Sequence, residues 1–72
     1  MDDHIYRVIE IVGTSSDSIE DAVKTGVARA AKTLKNLRWV EVVRTNAHIE
    51  DQKVKHFQVT MKVGFTMDEP RN

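Results

Sequence analysis

Three histidines, His4, His48 and His56, are the residues of this sequence whose chemistry most directly suggests a metal site. The sequence contains no cysteine, and no two histidines have the His-x-x-x-His spacing of a helical ligand pair. The alternation of the strands that carry His48 and His56 predicts that the two side chains point to opposite faces of a sheet. We therefore predict solvated or hydrogen-bonded histidines and no metal site.

A glycine followed by hydroxyl residues, Gly13 to Ser16, precedes a predicted helix and is a weak candidate for holding phosphate on free N–H groups. It lacks the Gly-Lys-Ser/Thr of a P-loop, which favours an ordinary turn with a helix cap. The hydroxyls of this segment and of Ser18 have no evident base or oxyanion-stabilising partner, so nucleophilic catalysis has no support. A small enzyme is thus disfavoured, and we expect a protein without catalytic activity.

The only tryptophan, Trp39, is the strongest candidate for binding a planar ligand. If Val40 and Val42 face the core, Trp39 lies on the uncovered side of the sheet and its indole can stack on a flat ring. If Trp39 packs together with Val43 instead, it is an ordinary core residue. The pattern leaves both alternatives open. The Val40 face becomes polar from Arg44 onward, which requires a bulge or a partner subunit there.

A single amphipathic helix, predicted over residues 16–37, is the element around which the chain is organised. Gly26 lies in the middle of its apolar face, which indicates a close approach of the helix to a sheet. The apolar residues recur at steps of three and four, as one helix face requires: Ile19, Ala22, Val23, Gly26, Val27, Ala30, Leu34 and Leu37.

Both ends of this helix carry recognisable signals. At the start, Asp17 and Glu20 have capping-box spacing, and Ser18 with Asp21 is a weaker alternative. At the end, Asn36 is expected to terminate the helix in a left-handed conformation.

The segments outside the helix, residues 5–12, 38–50 and 54–65, alternate as β-strands do. The third segment has one apolar face that must meet the helix, formed by Phe57, Val59, Met61, Val63 and Phe65. We predict an α+β domain of β-α-β-β order, with a three-stranded antiparallel sheet partly wrapped around the helix. One helix covers only one face of such a sheet, so function is expected on the other.

A polar turn at residues 50–53 sets the predicted register of the second and third strands. It places Thr45 opposite Gln58, and Trp39 opposite Gly64, which leaves space above the indole. Trp39 and Gln58 are then about 20 Å apart along the sheet, at about 3.3 Å per residue. A single small ring that contacts both side chains therefore needs two subunits.

Composition excludes several classes of protein. The chain has 72 residues, which is enough for one domain, and its 11 basic and 11 acidic residues give no broad electrostatic footprint for nucleic acid. No apolar run approaches the roughly 20 residues that span a bilayer, so no membrane partner is expected. The N-terminus lacks a signal-peptide pattern, which predicts a cytoplasmic protein. Residues 67–72 are polar and predicted to form a flexible tail.

Three stretches of the sequence together resemble the dodecins, a family of small flavoproteins. They are VIEIVGTSSDS at residues 8–18, ARAAKTLKNLRWVEV at residues 28–42 and FQVTMKVGF at residues 57–65. The resemblance covers nearly the whole chain and identifies residues 1–72 as a single dodecin-like domain. It implies a homododecamer, in which twelve copies form a hollow shell.

The resemblance also implies a ligand and its binding residues. Dodecins bind flavins, such as FMN or riboflavin, in pairs at two-fold interfaces, and Trp39 matches the tryptophan that stacks on the ring. Gln58 matches the glutamine that hydrogen-bonds the polar edge of the ring. The implied function is flavin storage with quenching and photoprotection, not catalysis. Some bacterial members also bind coenzyme A through an arginine that Arg29 matches.

The sequence departs from the bacterial dodecin pattern at several positions. Many members have Arg-Gly where this chain has Asn46-Ala47, and arginine where it has Thr66. Arg38 replaces an aspartate and is expected to restore a cation near the ligand, and both Arg38 and Asn46 are candidate flavin-binding residues. The loss of two arginines motivates an alternative function, a structural homo-oligomer of the same fold with weak or no flavin binding.

Overall fold

The computed structural model describes residues 5–67 of the chain. It contains the strand β1 (Tyr6–Ser15), the helix α1 (Ile19–Ala30) and the strands β2 (Leu37–Glu50) and β3 (Lys53–Thr66). All three strands form one antiparallel sheet in the order β1-β3-β2. The predicted α+β class and β-α-β-β order are therefore confirmed. The predicted flexible tail, except Met67, lies outside the described residues.

The core forms where α1 packs against the central strand β3. The side chains of Val59, Met61 and Val63 are at most 1% exposed, and so is Ala22 of the helix. The predicted apolar face of the third strand is thus confirmed. The neighbouring strand β1 also approaches the helix closely, and this approach depends on small residues: a Cβ added to Gly13 would clash with the Ala22 carbonyl oxygen.

The helix covers less of the sheet than one whole face. It packs on β1 and β3 and makes little contact with β2, in which every residue from 38 to 50 is exposed. We call the face that points away from α1 the open face; it carries the even-numbered β3 residues from His56 to Gly64 and their cross-strand partners. β2 is therefore uncovered on both sides, whereas the sequence predicted only one bare face.

The described chain is long and thin, with extents of 58 × 20 × 14 Å and a radius of gyration of 15.2 Å. A compact domain of this length has a radius of gyration of about 11 Å. The difference reflects the long hairpin of β2 and β3, which extends beyond the part of the sheet that the helix covers.

The helix begins later than predicted, because Ser18 is its N-cap. The Ser18 hydroxyl accepts a 2.9 Å hydrogen bond from the Asp21 N–H group. The prediction that preferred an Asp17–Glu20 capping box is therefore wrong, and the weaker alternative, Ser18 with Asp21, is correct. The reason is the preceding turn, in which the Ser15 hydroxyl accepts the Asp17 N–H at 2.9 Å and donates to the Asp21 carboxylate at 2.7 Å.

The helix also ends earlier than predicted, at Ala30 instead of at residue 37. Seven further helical residues would carry the chain about 10 Å onward, at 1.5 Å per residue, away from the point where β2 must start. Residues 31–33 form turns instead, and Leu37 belongs to β2. Asn36 does have a left-handed conformation, with φ of 64°, but it leads into β2 and does not cap the helix.

The hairpin between β2 and β3 contains the predicted turn, with Asp51 and Gln52 at φ of 54° and 65°. Trp39 pairs with Gly64 as predicted, but Thr45 pairs with Val59 and not with Gln58. The register shifts at His48/Ile49, where Lys55 is the extra residue, at Val42/Arg44, where Val43 is extra, and at Leu37/Trp39, where Arg38 is extra. Because the Lys55 and Val43 bulges lie on opposite strands, the register between Trp39 and Val42 is the same as it is beside the turn.

Candidate functional site

Trp39 lies on the open face and not in the core. Its indole is seated over Gly64: a Cβ added to Gly64 would clash with the indole Cε2 and Cζ2 atoms and lie 2.7 Å from Nε1. The side chain remains 42% exposed. The alternative that made Trp39 a core residue is therefore wrong, because Val40 and Val42 pair with the core residues Val63 and Met61 and share their face.

Gln58 and Asn46 are brought together as direct cross-strand partners on the open face. Gln58 is half-buried in the central strand, and Asn46 is exposed on the edge strand. Trp39 is not part of this pair, because its partner Gly64 is six residues from Gln58 along β3. That separation is about 20 Å, so one subunit does not place both side chains around one small ring.

Two rows of side chains lie between the tryptophan and the glutamine. In the first row Lys62 lies between Glu10 and Glu41, and in the second Thr60 pairs with Arg44. Opposite charges directly across strands stabilise the first row modestly. Arg44 is a cation of the open face that the site prediction omitted. Arg44 reaches this face because of the Val43 bulge. The sequence signal for that bulge was the change of the Val40 face from apolar to polar residues at Arg44.

The two arginines that the sequence did predict, Arg38 and Arg29, lie apart from each other. Arg38 is exposed and lines, with Trp39 and Val40, a groove of about 230 Å³ beside the start of β2. Arg29 is exposed in the last turn of α1 and lines, with Lys32, a groove of about 380 Å³ between the helix and β1. Arg38 and Trp39 thus line one groove, which also includes Val27 of the helix, whereas Arg29 and Lys32 lie at a separate and largely apolar groove.

The hydroxyl segment before the helix has a structural role. The Ser15 hydroxyl accepts hydrogen bonds from the N–H groups of Asp17 and Ser18, at 2.9 and 3.3 Å. These donors are the ones that a phosphate would need, so the geometry supports the turn and helix cap that the sequence favoured.

His48 and His56 lie side by side, which the sequence did not predict. They are direct cross-strand partners on the open face, with ring centroids 5.0 Å apart and an interplanar angle of 18°. The prediction of opposite faces is wrong because the extra residue Lys55 changes the alternation of β3 relative to β2. No signal in the alternation alone reveals this bulge.

No helix within residues 5–67 is both long enough and apolar enough to cross a membrane. Within the same residues, no group of three or more His, Cys, Asp or Glu side chains is arranged to hold a metal ion.

Comparison with known proteins identifies the family. The Dodecin family model matches residues 5–68. Dodecin of Thermus thermophilus is 42% identical over 65 residues, which cover 90% of this chain and 94% of that protein. Dodecin from Streptomyces davaonensis matches with a TM-score of 0.91 and 48% identity, over 94% of this chain and 100% of that chain.

A more distant relative is named for calcium. Calcium dodecin of Mycobacterium tuberculosis is 29% identical over 63 residues, covering 88% of this chain and 89% of that protein. Its crystal structure, which has a novel calcium-binding site, matches with a TM-score of 0.79 over 94% of this chain and 97% of that chain. The family model and the T. thermophilus relative are decisive, and the chain belongs to the dodecin family.

Proposed function

We propose that this chain binds flavin by stacking the isoalloxazine ring on Trp39, and that it stores and photoprotects flavin in a homododecameric shell. The observation that carries the proposal is the indole itself, 42% exposed and seated over Gly64 on the open face. An electron-rich indole stacks well on an electron-poor ring, and such a pair adds about 0.5–1.5 kcal/mol beyond area burial. An excited flavin in contact with the indole takes an electron and returns it, so its fluorescence is quenched.

The exposed edge strand β2 supports the presence of a second subunit at the site. This strand is an edge of the sheet, is exposed over residues 38–50 and carries the exposed side chains of Val40, Val42 and Val43. A long apolar edge strand invites pairing or covering by another chain. Gln58 of another subunit then supplies the donor and acceptor that the polar edge of the flavin needs.

Two exposed cations, one beside the tryptophan and one beside Asn46, bear on which flavin is preferred. Arg38 shares the groove beside Trp39, and Arg44 lies on the open face two residues from Asn46. We assign both cations to the phosphate of FMN: Arg44 would act close to the position where Asn46 replaces the family arginine, and Arg38 would act beside Trp39. We assign the separate groove that Arg29 and Lys32 line to coenzyme A.

A flavin titration tests the proposal. Addition of the protein to riboflavin or FMN is expected to quench most of the flavin fluorescence, and the Trp39→Ala variant is expected to abolish most of that quenching. Light scattering on both proteins verifies that the variant keeps the assembly, which is about twelve times the 8.2 kDa chain. A dodecamer that leaves riboflavin and FMN unquenched at micromolar concentration contradicts the storage function.

A dodecamer that does not quench flavin would favour the second candidate function, a structural homo-oligomer with weak or no flavin binding. The observation behind it is the replacement of two family arginines, by Asn46 on the exposed strand and by Thr66, which is only 9% exposed. Because the side chains of Asn46 and Thr66 are uncharged, neither supplies a cation to a ligand or to a neighbouring subunit.

A further inference from the structure

We propose that His48 and His56 form a two-histidine site for a borderline divalent metal ion, such as Cu²⁺, Ni²⁺ or Zn²⁺. The site lies on the open face near the hairpin turn and does not depend on flavin binding. Its basis is the direct cross-strand pairing of the two residues, with parallel imidazoles whose centroids are 5.0 Å apart.

The backbone holds the two imidazoles together. The bulge at Lys55 turns His56 to the same face as His48, and the tight turn at Asp51 and Gln52 joins their strands only a few residues away. Opposite residues of an antiparallel pair have Cβ atoms about 4.5–5.5 Å apart, which lets two side chains converge on one ion. The entropy of bringing the ligands together is therefore already lost when the hairpin folds.

The chemistry of the pair selects the class of metal. Imidazole nitrogen suits zinc, copper and nickel and does not suit calcium or magnesium, which prefer oxygen. Metal–nitrogen bonds of about 2.0–2.1 Å require the stacked rings to turn toward a common point. His48 is exposed and His56 is half-buried, so His48 is the ring that has room to make this rotation.

The surroundings leave the site open on one side and do not repel a cation strongly. Lys55, next to His56, is paired with the Glu50 carboxylate at 3.7 Å. Asn46 and Gln58 form the adjacent row of the open face, and both carry amide oxygens. With no cluster of three or more ligating side chains among residues 5–67, we expect two protein ligands, with water at the remaining positions. Such a site binds more weakly than a closed four-ligand zinc site.

The experiment is a calorimetric titration of the flavin-free full chain with Ni²⁺ and with Zn²⁺, at about pH 8 because ligation needs neutral imidazole. The variants are His48→Gln, His56→Gln and, as the matched control, His4→Gln, which removes the third histidine of the chain. We expect one metal ion per chain for the wild type and for His4→Gln. Each of the other variants should bind at least about tenfold more weakly, because the second imidazole acts at high effective concentration in the intact pair.

Two further measurements keep the result interpretable. Circular dichroism and light scattering verify that each variant retains the wild-type fold and assembly. Zn²⁺ should also raise the melting temperature of the wild type and of His4→Gln more than that of the other two variants, since a ligand stabilises only the state that binds it. Wild-type affinity in both His48→Gln and His56→Gln, loss of binding in His4→Gln, or no binding to the wild type would each overturn the proposal.

Discussion

The Gly64→Ala substitution tests whether the seat of the indole controls ligand binding. The added methyl group would clash with two ring atoms of Trp39 and lie 2.7 Å from Nε1. Ordinary contact begins at about 3.5 Å, so the ring must move by about 1 Å or more. Since Trp39 is 42% exposed, the indole has solvent to move into and the backbone does not need to shift.

The structure predicts that this change affects binding much more than stability. No glycine among residues 5–67 has a positive φ, so alanine fits the backbone at position 64. Glycine to alanine at a compatible position stabilises by about 0.4–1 kcal/mol, which offsets part of the cost of displacing the ring. We expect the free energy of unfolding to change by less than about 1 kcal/mol. Flavin stacking should lose at least about 1.4 kcal/mol, a tenfold rise in Kd, because the displaced ring no longer meets its partner in parallel contact.

The assay uses the fact that Trp39 is the only tryptophan. In Gly64→Ala the intrinsic emission should shift to longer wavelength and become more accessible to acrylamide, while the Kd for riboflavin rises. The matched control is Gly26→Ala, whose Cβ would lie 3.0 Å from the flexible Met61 methyl on the opposite side of the sheet. This control should leave both readouts unchanged. Wild-type emission and wild-type Kd in Gly64→Ala would refute the reasoning.

Three predictions concern the fold, each measured by urea denaturation at fixed protein concentration. Ser18→Ala should lower the free energy of unfolding by about 1 kcal/mol, because it removes the 2.9 Å cap hydrogen bond, whereas an equal loss in Asp17→Ala would contradict the assignment of the cap. Met61→Ala should cost about 2–5 kcal/mol, since this side chain is 0% exposed, and Val54→Ala, at a position 52% exposed, should cost much less. Gln52→Gly should stabilise the hairpin by about 1 kcal/mol, because residue 52 has φ of 65°; a destabilised variant would show that the Gln52 side chain contributes more than its backbone strain costs.

The sequence by itself determined the elements and the class of the fold. The spacing of Ala22, Gly26 and Ala30 predicted the buried face of the helix, and the alternation of β3 predicted its buried residues. Both predictions hold because burial on one face requires a matching period, 3.6 for a helix and 2 for a strand. The turn at Asp51 and Gln52 was likewise predictable, because polar residues interrupt two alternating segments.

Tertiary structure decided the details that depend on distant contacts. The helix stops at Ala30 because the chain must return to the sheet, and no local signal in residues 31–37 specifies that point. The Val43 and Lys55 bulges each insert one residue in a strand, and one residue is enough to move a side chain to the other face.

Register shifts at these bulges also explain why the candidate sites were only partly predictable. Trp39 opposite Gly64 was correctly placed, because the two bulges lie on opposite strands and their shifts cancel before that row. Gln58 lies opposite Asn46, and His48 lies opposite His56, only because both pairs fall between the bulges. Period-2 alternation fixes which residues can share a face, whereas the long-range pairing of β2 with β3 decides which of them meet.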